Sequence, residues 1–419
     1  MRTLHPVASI LLIVTGAAVF GGCASVCGRP DFRPAAKTGA AVQKAIDAAS
    51  AAGGGCVILE KGVYPSGTIY LKSHVELHLE EGAVLLGGAH PEDYDDVDDP
   101  RVTKAPEKSK KVFVACIGEE DVAITGKGVI DGQGVRFYDT TKRKWGMYPK
   151  PPHPRPRMLE FVKCRGVRFE DITFKDSPGW TCWARMCEDF TAERVKIHAD
   201  QLMINNDGFH IDGCRRVRIR NCDLRTGDDC IVMRAIQSPC GDSRVCEDMV
   251  VEDCTLNSRC QCIRLGCPSD GTIRNGTFRR LKMSGYNGVV SGHPVDYLQD
   301  GDHGSCRMEN LLVEDCDIAA ENLPISFWIE PGISLGAYGN VTFRNVRLRG
   351  KKPITLLGTG DSVLTKVVFD RVSGEIAADR PLDVRSVSGL VFRDFAVTSG
   401  SGKKSPPAVN TSDGWERAR

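Results

Sequence analysis

Between residues 167 and 395 the chain repeats one short hydrophobic–polar pattern. Val167-Arg-Phe-Glu-Asp-Ile172, Val217-Arg-Ile-Arg-Asn-Cys222, Val250-Val-Glu-Asp-Cys254 and Leu312-Val-Glu-Asp-Cys316 carry it. Val341-Thr-Phe-Arg-Asn-Val346, Val367-Val-Phe-Asp-Arg-Val372 and Leu390-Val-Phe-Arg-Asp-Phe395 continue it. Apolar and polar positions alternate, β-branched and aromatic residues are frequent, and each segment ends in an Asn, Asp or Arg. That pattern predicts half-buried strands closed by turns. The repeats are too short for propeller blades and lack the fixed leucines of a leucine-rich repeat. They predict an all-β fold, a single-stranded right-handed parallel β-helix, whose coils stack while loops of variable length gather on one side.

One segment has a helical period instead. Residues 38–52 are alanine-rich, with Val42, Ile46 and Ala49 on one face, and they stop at Gly53-Gly54-Gly55. The open end of a solenoid exposes its core, so this segment is predicted to be an N-terminal capping helix. Ahead of it, Arg2 and the apolar run from Val7 to Phe20 read as an export signal, and the small residues before Cys23 resemble a lipobox. Residues 1–23 are therefore expected to be a signal peptide of lipoprotein type, with Cys23 lipidated. The β-helix domain is expected over 30–400 and a polar, unstructured tail over 401–419. The expected location is the periplasm or cell surface of a bacterium, with contact to a membrane only through the lipid.

Net charge narrows the partners. The 419 residues sum to +1, which argues against a protein that coats nucleic acid or an anionic membrane. A monomer is expected. Eighteen cysteines in an exported chain would suggest disulfides, but Cys222, Cys254 and Cys316 recur in one local context, and Cys164 and Cys214 in another. Cysteine behaves as a small buried hydrophobe, so these residues are expected to stack inside the coils. Cys240 with Cys246, and Cys182 with Cys187, are the pairs placed to close loop disulfides. Cys260-Gln261-Cys262 with Cys267 departs from zinc-ligand spacing, and neither a metal nor another cofactor is expected.

The candidate chemistry lies in Asn205-Asn206-Asp207-Gly208 and, one repeat later, Gly227-Asp228-Asp229-Cys230. Stacked coils lie about 4.8 Å apart, so Asp207 and the Asp228-Asp229 pair would converge on neighbouring rungs. Converging carboxylates are what hydrolysis of a glycosidic bond needs. Aspartates are also common at solenoid corners, as at Asp171, Asp253 and Asp315, but those lie outside the Asn-x-Asp and Gly-Asp-Asp contexts.

Further motifs follow in a fixed order. Gly62-Val-Tyr, Gly67-Thr-Ile-Tyr-Leu-Lys72, Leu77-His-Leu-Glu-Glu-Gly-Ala-Val-Leu85, Ile124-Thr-Gly-Lys-Gly-Val-Ile-Asp-Gly-Gln-Gly134 and Ser177-Pro-Gly-Trp180 precede Asn205-Asn-Asp-Gly-Phe-His-Ile-Asp212 and Gly227-Asp-Asp-Cys-Ile231. In this order the chain resembles the polygalacturonase-like family of glycoside hydrolases, pectin-degrading right-handed parallel β-helices. The resemblance runs from about Thr38 to Arg280. It implies an inverting reaction in which Asp228 is the general acid, and Asp207 and Asp229 activate water. An inverting pair is expected to stand about 6.5–9.5 Å apart.

The departures point to specificity. The family's Gly-His-Gly motif aligns with Cys260-Gln261-Cys262, and glutamine cannot transfer a proton. Its Arg-Ile-Lys motif, which holds the galacturonate carboxylate, falls at Gly288-Val-Val-Ser-Gly292. Arg264 or Arg234 is then expected to supply a cation, with His293 a weaker substitute on a loop. Asn205, His210, Arg234, Gln261 and Arg264 are the substrate-binding candidates, and Trp180 and Trp183 are candidates either to stack on sugar or to fill the core. The substrate implied is a galacturonan- or rhamnogalacturonan-type chain. Two other readings stay open: a β-helix lyase or epimerase, for which the aspartates would bind calcium, and a non-catalytic carbohydrate-binding surface protein. If the segments 92–111 and 136–157 wall off one end of the groove, the action becomes exo.

Overall fold

The computed structural model describes residues 27–97, 109–236, 244–266, 269, 271–297 and 305–400, and the backbone of 416–417. The chain winds as the expected right-handed parallel β-helix. Three strands make a coil. Arg157–Val162, Arg165–Glu170 and Thr173–Lys175 are followed by Cys182–Arg185, Glu188–Glu193 and Lys196–His198. Phe209–Asp212, Arg215–Arg220 and Asp223–Thr226 form the next coil. Each strand pairs in parallel with its counterpart one coil on, as Leu159 with Cys182, Cys182 with Phe209 and Phe209 with Ile231.

This register stacks like on like. Val167, Phe190, Val217 and Met249 form one internal column, and Phe174, Ile197, Leu224 and Leu256 another. All are buried. Phe169 meets Phe161, Phe174 and Phe190 edge-on with ring centroids 5.3–5.5 Å apart. At about 1.5–3 kcal/mol for each large apolar side chain fully buried, these columns hold the coils together.

The polar residues that end each repeat turn a corner. Asp171, Arg194, Asn221, Asp253, Arg280, Asp315, Asn345, Arg371 and Asp394 occupy it on successive coils, all with φ between +48° and +61°. Asp and Asn tolerate the left-handed region and arginine does so rarely. Its cost is offset across coils: Arg194 Nε bonds Asp171 Oδ1 and Arg280 Nε bonds Asp253 Oδ1, each at 2.7 Å. At these two steps an ion pair links the corner of one rung to the next.

The capping helix spans Gly39–Ala51, with Thr38 as N-cap accepting a hydrogen bond from the Ala41 N–H at 3.3 Å. Val42, Ala45, Ile46 and Ala49 bury against the first strands. Behind it Cys27 and Cys56 form a disulfide that the sequence reading did not anticipate. The expected bridge between Cys182 and Cys187 is absent, because both are free buried thiols. Cys246 is a free buried thiol; its expected partner Cys240 lies outside the described residues, as do Cys23 and Cys267. The recurring cysteines do stack inside: Cys164 Sγ lies 3.6 Å from Cys116 Sγ, and the Cys222 N–H points at Cys254 Sγ at 3.4 Å. At the far end Glu416 and Arg417 pair with Val391 and Phe392.

Candidate active site

Asp207 and the Asp228-Asp229 pair sit just ahead of the strands Phe209–Asp212 and Ile231–Arg234, so the coil brings them to one corner. Backbone bonds of 2.8–2.9 Å carry the ladder through it, from Thr181 N to Asp207 O, Gly208 N to Asp229 O and Cys230 N to Gln261 O. Asn206 is fully buried and ties the two motifs together. Its Oδ1 accepts from the Gly227 N–H at 2.7 Å and its Nδ2 donates to Asp200 O at 3.0 Å. Gly208 and Gly227 are needed for close approach: a Cβ would stand 2.3 Å from Cys230 O at the first and 2.1 Å from Met203 O at the second.

The three carboxylates have different surroundings. Asp228 is half-buried, and its Oδ2 accepts from the Asn205 N–H at 3.2 Å while Oδ1 accepts from the Asp229 N–H at 3.0 Å. Burial first, and the neighbouring Asp229 charge second, push its pKa up to about 7, against smaller opposing effects of Arg264, Cys260 and Asn205. Asp229 is buried, accepts from the Gln261 N–H at 3.2 Å and pairs with Arg264 Nη1 at 3.0 Å. Asp207 is buried, with Oδ2 3.1 Å from His210 Nε2. A carboxylate oxygen of Asp229 comes within 4.8 Å of Asp207 on one side and of Asp228 on the other. That crowding is one reason Asp228 holds its proton.

His210 is buried and packs on Trp180 with ring centroids 3.9 Å apart. Burial, then the charges of Arg234 and Arg264, hold its pKa well below the ordinary imidazole range, so the ring is neutral and Nε2–H donates to Asp207. Arg234 was a candidate to supply a cation to the substrate. It is buried, with its guanidinium over Trp180 at 4.8 Å and its Nε 3.9 Å from Asp212 Oδ2. Trp180 and Trp183 meet edge-to-face at 5.1 Å and are likewise buried, so they fill the space behind the acids rather than offering a sugar platform.

Asn205 sits in the left-handed region at φ +57° and holds Asp228, while its Oδ1 accepts from Arg155 Nη2 at 3.0 Å. Arg155, buried and bonded also to Ile204 O at 2.8 Å, is a supporting residue that the sequence reading missed inside a Pro-rich loop. Cys260 was missed as well. The strand Thr255–Leu265 shifts register against Lys282–His293 between Ser258 and Gln261, and this irregularity brings the Cys260 thiol within 4.8 Å of both Asp228 and Asp229 oxygens. Gln261 Oε1 has no protein hydrogen-bond partner among the described residues. Arg264 pairs in register with Val290, so it supplies its cation one coil before the segment that lacks one. His293, expected on a solvated loop, is instead buried at a strand end. Burial, then the Arg264 charge, lower its pKa to about 4.

Asp207, His210 and Asp229 offer donor atoms within 4.8 Å of one another, as do Asp228, Asp229 and Cys260. In both sets the Arg264 guanidinium already neutralises Asp229, which opposes a second cation there.

Fold and site together define a parallel β-helix with a cluster of three carboxylates at one corner. Residues 99–240, which include all three aspartates, match the family model for Glycosyl hydrolases family 28. The chain is 27% identical over 188 residues to a "Probable polygalacturonase" of Vitis vinifera, covering 44% of this chain and 37% of that protein. It is 24% identical over 321 residues to "Probable exopolygalacturonase B" of Neosartorya fischeri, covering 70% and 62% respectively. The chain thus spans less than two thirds of the length of these curated relatives. Among solved structures, a hyperthermoactive exopolygalacturonase from Thermotoga maritima superposes with a TM-score of 0.71 at 21% identity, over 85% of this chain and 87% of that one. A family 28 exopolygalacturonase of Yersinia enterocolitica gives 0.70 at 17% identity, over 93% and 78%. The resemblance to polygalacturonase-like glycoside hydrolases is borne out.

Proposed function

We propose that this chain is an inverting glycoside hydrolase that cleaves a pectic chain of galacturonan or rhamnogalacturonan type. One observation carries the reading: of two adjacent carboxylates, one has a raised proton affinity and the other is held in an ion pair. Asp228 is held protonated to about pH 7, and Asp229 is paired with Arg264 at 3.0 Å. Asp228 gives its proton to the glycosidic oxygen as the bond to the anomeric carbon breaks. Asp229 and Asp207 draw a proton from the water that attacks that carbon. Neutral His210 fixes Asp207 through Nε2. Gln261 replaces a proton-transferring histidine, and its amide oxygen is suited to accept a hydrogen bond from a substrate hydroxyl. Arg264, which stands beside Asp229, is the cation assigned to a uronate carboxylate.

The N-terminal reading completes the proposal. Export and lipidation at Cys23 are supported by the apolar run that precedes it, and the Cys27–Cys56 disulfide fits an oxidising compartment. Among the described residues, no helix is long and apolar enough to cross a membrane. We take the protein to act as a monomer.

The test is reducing-sugar release from polygalacturonate and rhamnogalacturonan, with EDTA present, by wild type and Asp228→Asn. Release that survives EDTA and vanishes in the variant supports a hydrolase. Calcium-dependent unsaturated products would establish a lyase, and silence on every glycan a binding protein. Proton NMR of the first-formed anomer checks inversion.

A further inference from the structure

A hairpin rises beside the site and spends conformational energy for no folding return. Lys144 and Met147 exchange backbone hydrogen bonds at 2.8 and 3.1 Å around Trp145 and Gly146, with φ +52° and +81°. A two-residue turn with both central residues left-handed favours Asn or Gly, and a bulky aromatic there is an outlier. Trp145 is also 90% exposed, the most exposed large apolar side chain among the described residues. Neither its backbone nor its ring stabilises the core. Strain of this kind is retained where it serves a site.

The segment that carries the hairpin is tied at three points to residues 200–205, the stretch that leads into Asp207. The Tyr148 N–H bonds Leu202 O at 2.8 Å, the Tyr148 hydroxyl bonds Asp200 Oδ2 at 3.0 Å, and Arg155 holds Asn205. The Arg259 guanidinium comes within 3.9 Å of where a Gly146 Cβ would stand, and Arg259 is the sequence neighbour of Cys260, whose thiol lies by Asp228. The charge here is one-sided. Lys142, Arg143, Lys144, Lys150 and Arg155 stand against Asp139 alone over 139–155, in a chain whose net charge is only +1. Lys144 Nζ lies over the indole at 4.5 Å, and Arg143 covers the Tyr148 ring at the same distance.

We propose that Trp145, Lys144 and Arg259 form a rim subsite for an acidic sugar residue beyond the cleavage point, its ring face on the indole and its carboxylate toward the two cations. An exposed indole gives a flat apolar surface for the C–H face of a pyranose, and flanking cations select an anionic chain over a neutral one. This inference rests on the acidic-polysaccharide reading above.

The test uses full-length Asp228→Asn, in which substrate binds without turnover, titrated with oligogalacturonates of increasing length while tryptophan fluorescence is followed. The expected result is an emission change that strengthens with chain length and weakens with salt. It should disappear in the Trp145→Ala double variant, with affinity for the longer oligomers down about tenfold. Lys144→Glu with Arg259→Glu should weaken oligogalacturonate binding and leave binding of the carboxyl-reduced oligomer unaffected. In otherwise wild-type enzyme, Trp145→Ala should lower kcat/KM on the polymer relative to the dimer. Unaltered long-oligomer affinity in Trp145→Ala, with circular dichroism showing an intact fold, overturns the rim subsite alone. If Asp228→Asn binds no uronate oligomer and wild type cleaves none, the functional reading falls and the subsite with it.

Discussion

Arg264 Nη1 stands 3.0 Å from Asp229 Oδ2, and the same guanidinium lowers the proton affinity of Asp228 next door. One cation therefore acts on both members of the carboxylate pair, as an ion-pair partner of Asp229 and as an opposing charge beside Asp228. Arg264→Ala is expected to lower kcat about 100-fold, by leaving Asp229 buried without that partner. With the opposing effect removed, Asp228 should hold its proton to higher pH, so the alkaline limb of kcat/KM moves upward. Arg264→Lys should restore part of kcat, since charge is kept and the planar fork is lost. A pH–rate profile of the three proteins checks this.

Asp228 should define that alkaline limb in the wild type. Its acid form is the working form, so activity should fall as pH rises through about 7. Asp228→Asn should cost about 10²–10⁴-fold in rate. Asp229→Asn removes the second-largest cause of the raised value and should move the residual limb to lower pH.

The same group should tie stability to pH. Its ordinary value is 3.8 and its folded value about 7, so the native state holds a proton that the unfolded chain releases between them. Stability from this group is complete below 3.8, declines through that window, and above about 7 the folded protein carries a buried charge. Asp228→Asn should therefore raise stability at pH 8 by about 1–4 kcal/mol and change it little at pH 4. Thermal melts at both pH values decide it.

His210 should act by position rather than by titration. With its pKa held well below the ordinary range, replacing it should create or remove no limb near pH 6.5. His210→Ala should lower kcat about tenfold or more by freeing Asp207, whereas His210→Gln, which keeps a donor, should retain more. Steady-state rates across pH 5–8 separate these outcomes.

The Cys27–Cys56 bond closes a separation of 29 residues and ties the N-terminal segment to the strand Gly55–Leu59. Cys27→Ala with Cys56→Ala should destabilise by about 2–4 kcal/mol. Reductant should lower the melting temperature of the wild type and leave that variant's unchanged, as a calorimetric scan would show.

Much of this protein was legible without coordinates, because a solenoid is a local code. Alternation fixed which residues of Val167–Ile172 face inward, and the Asn, Asp and Arg endings marked the corners. The spacing of Asp207 and Asp228 by one coil made their meeting predictable from register alone. Contacts across unlike segments were not written that way. Cys27 and Cys56 share no motif, and Cys182 and Cys187, close in sequence, are separate buried thiols. Arg234 and His293 read as surface groups because one-dimensional patterns carry no burial for residues under a loop. The approach of Cys260 depends on an irregularity in register that only the neighbouring strand defines. The proton affinity of Asp228 needed the tertiary structure most, since it is set by burial and by a neighbour's charge. The sequence determined which carboxylates meet, and packing decided which of them holds the proton.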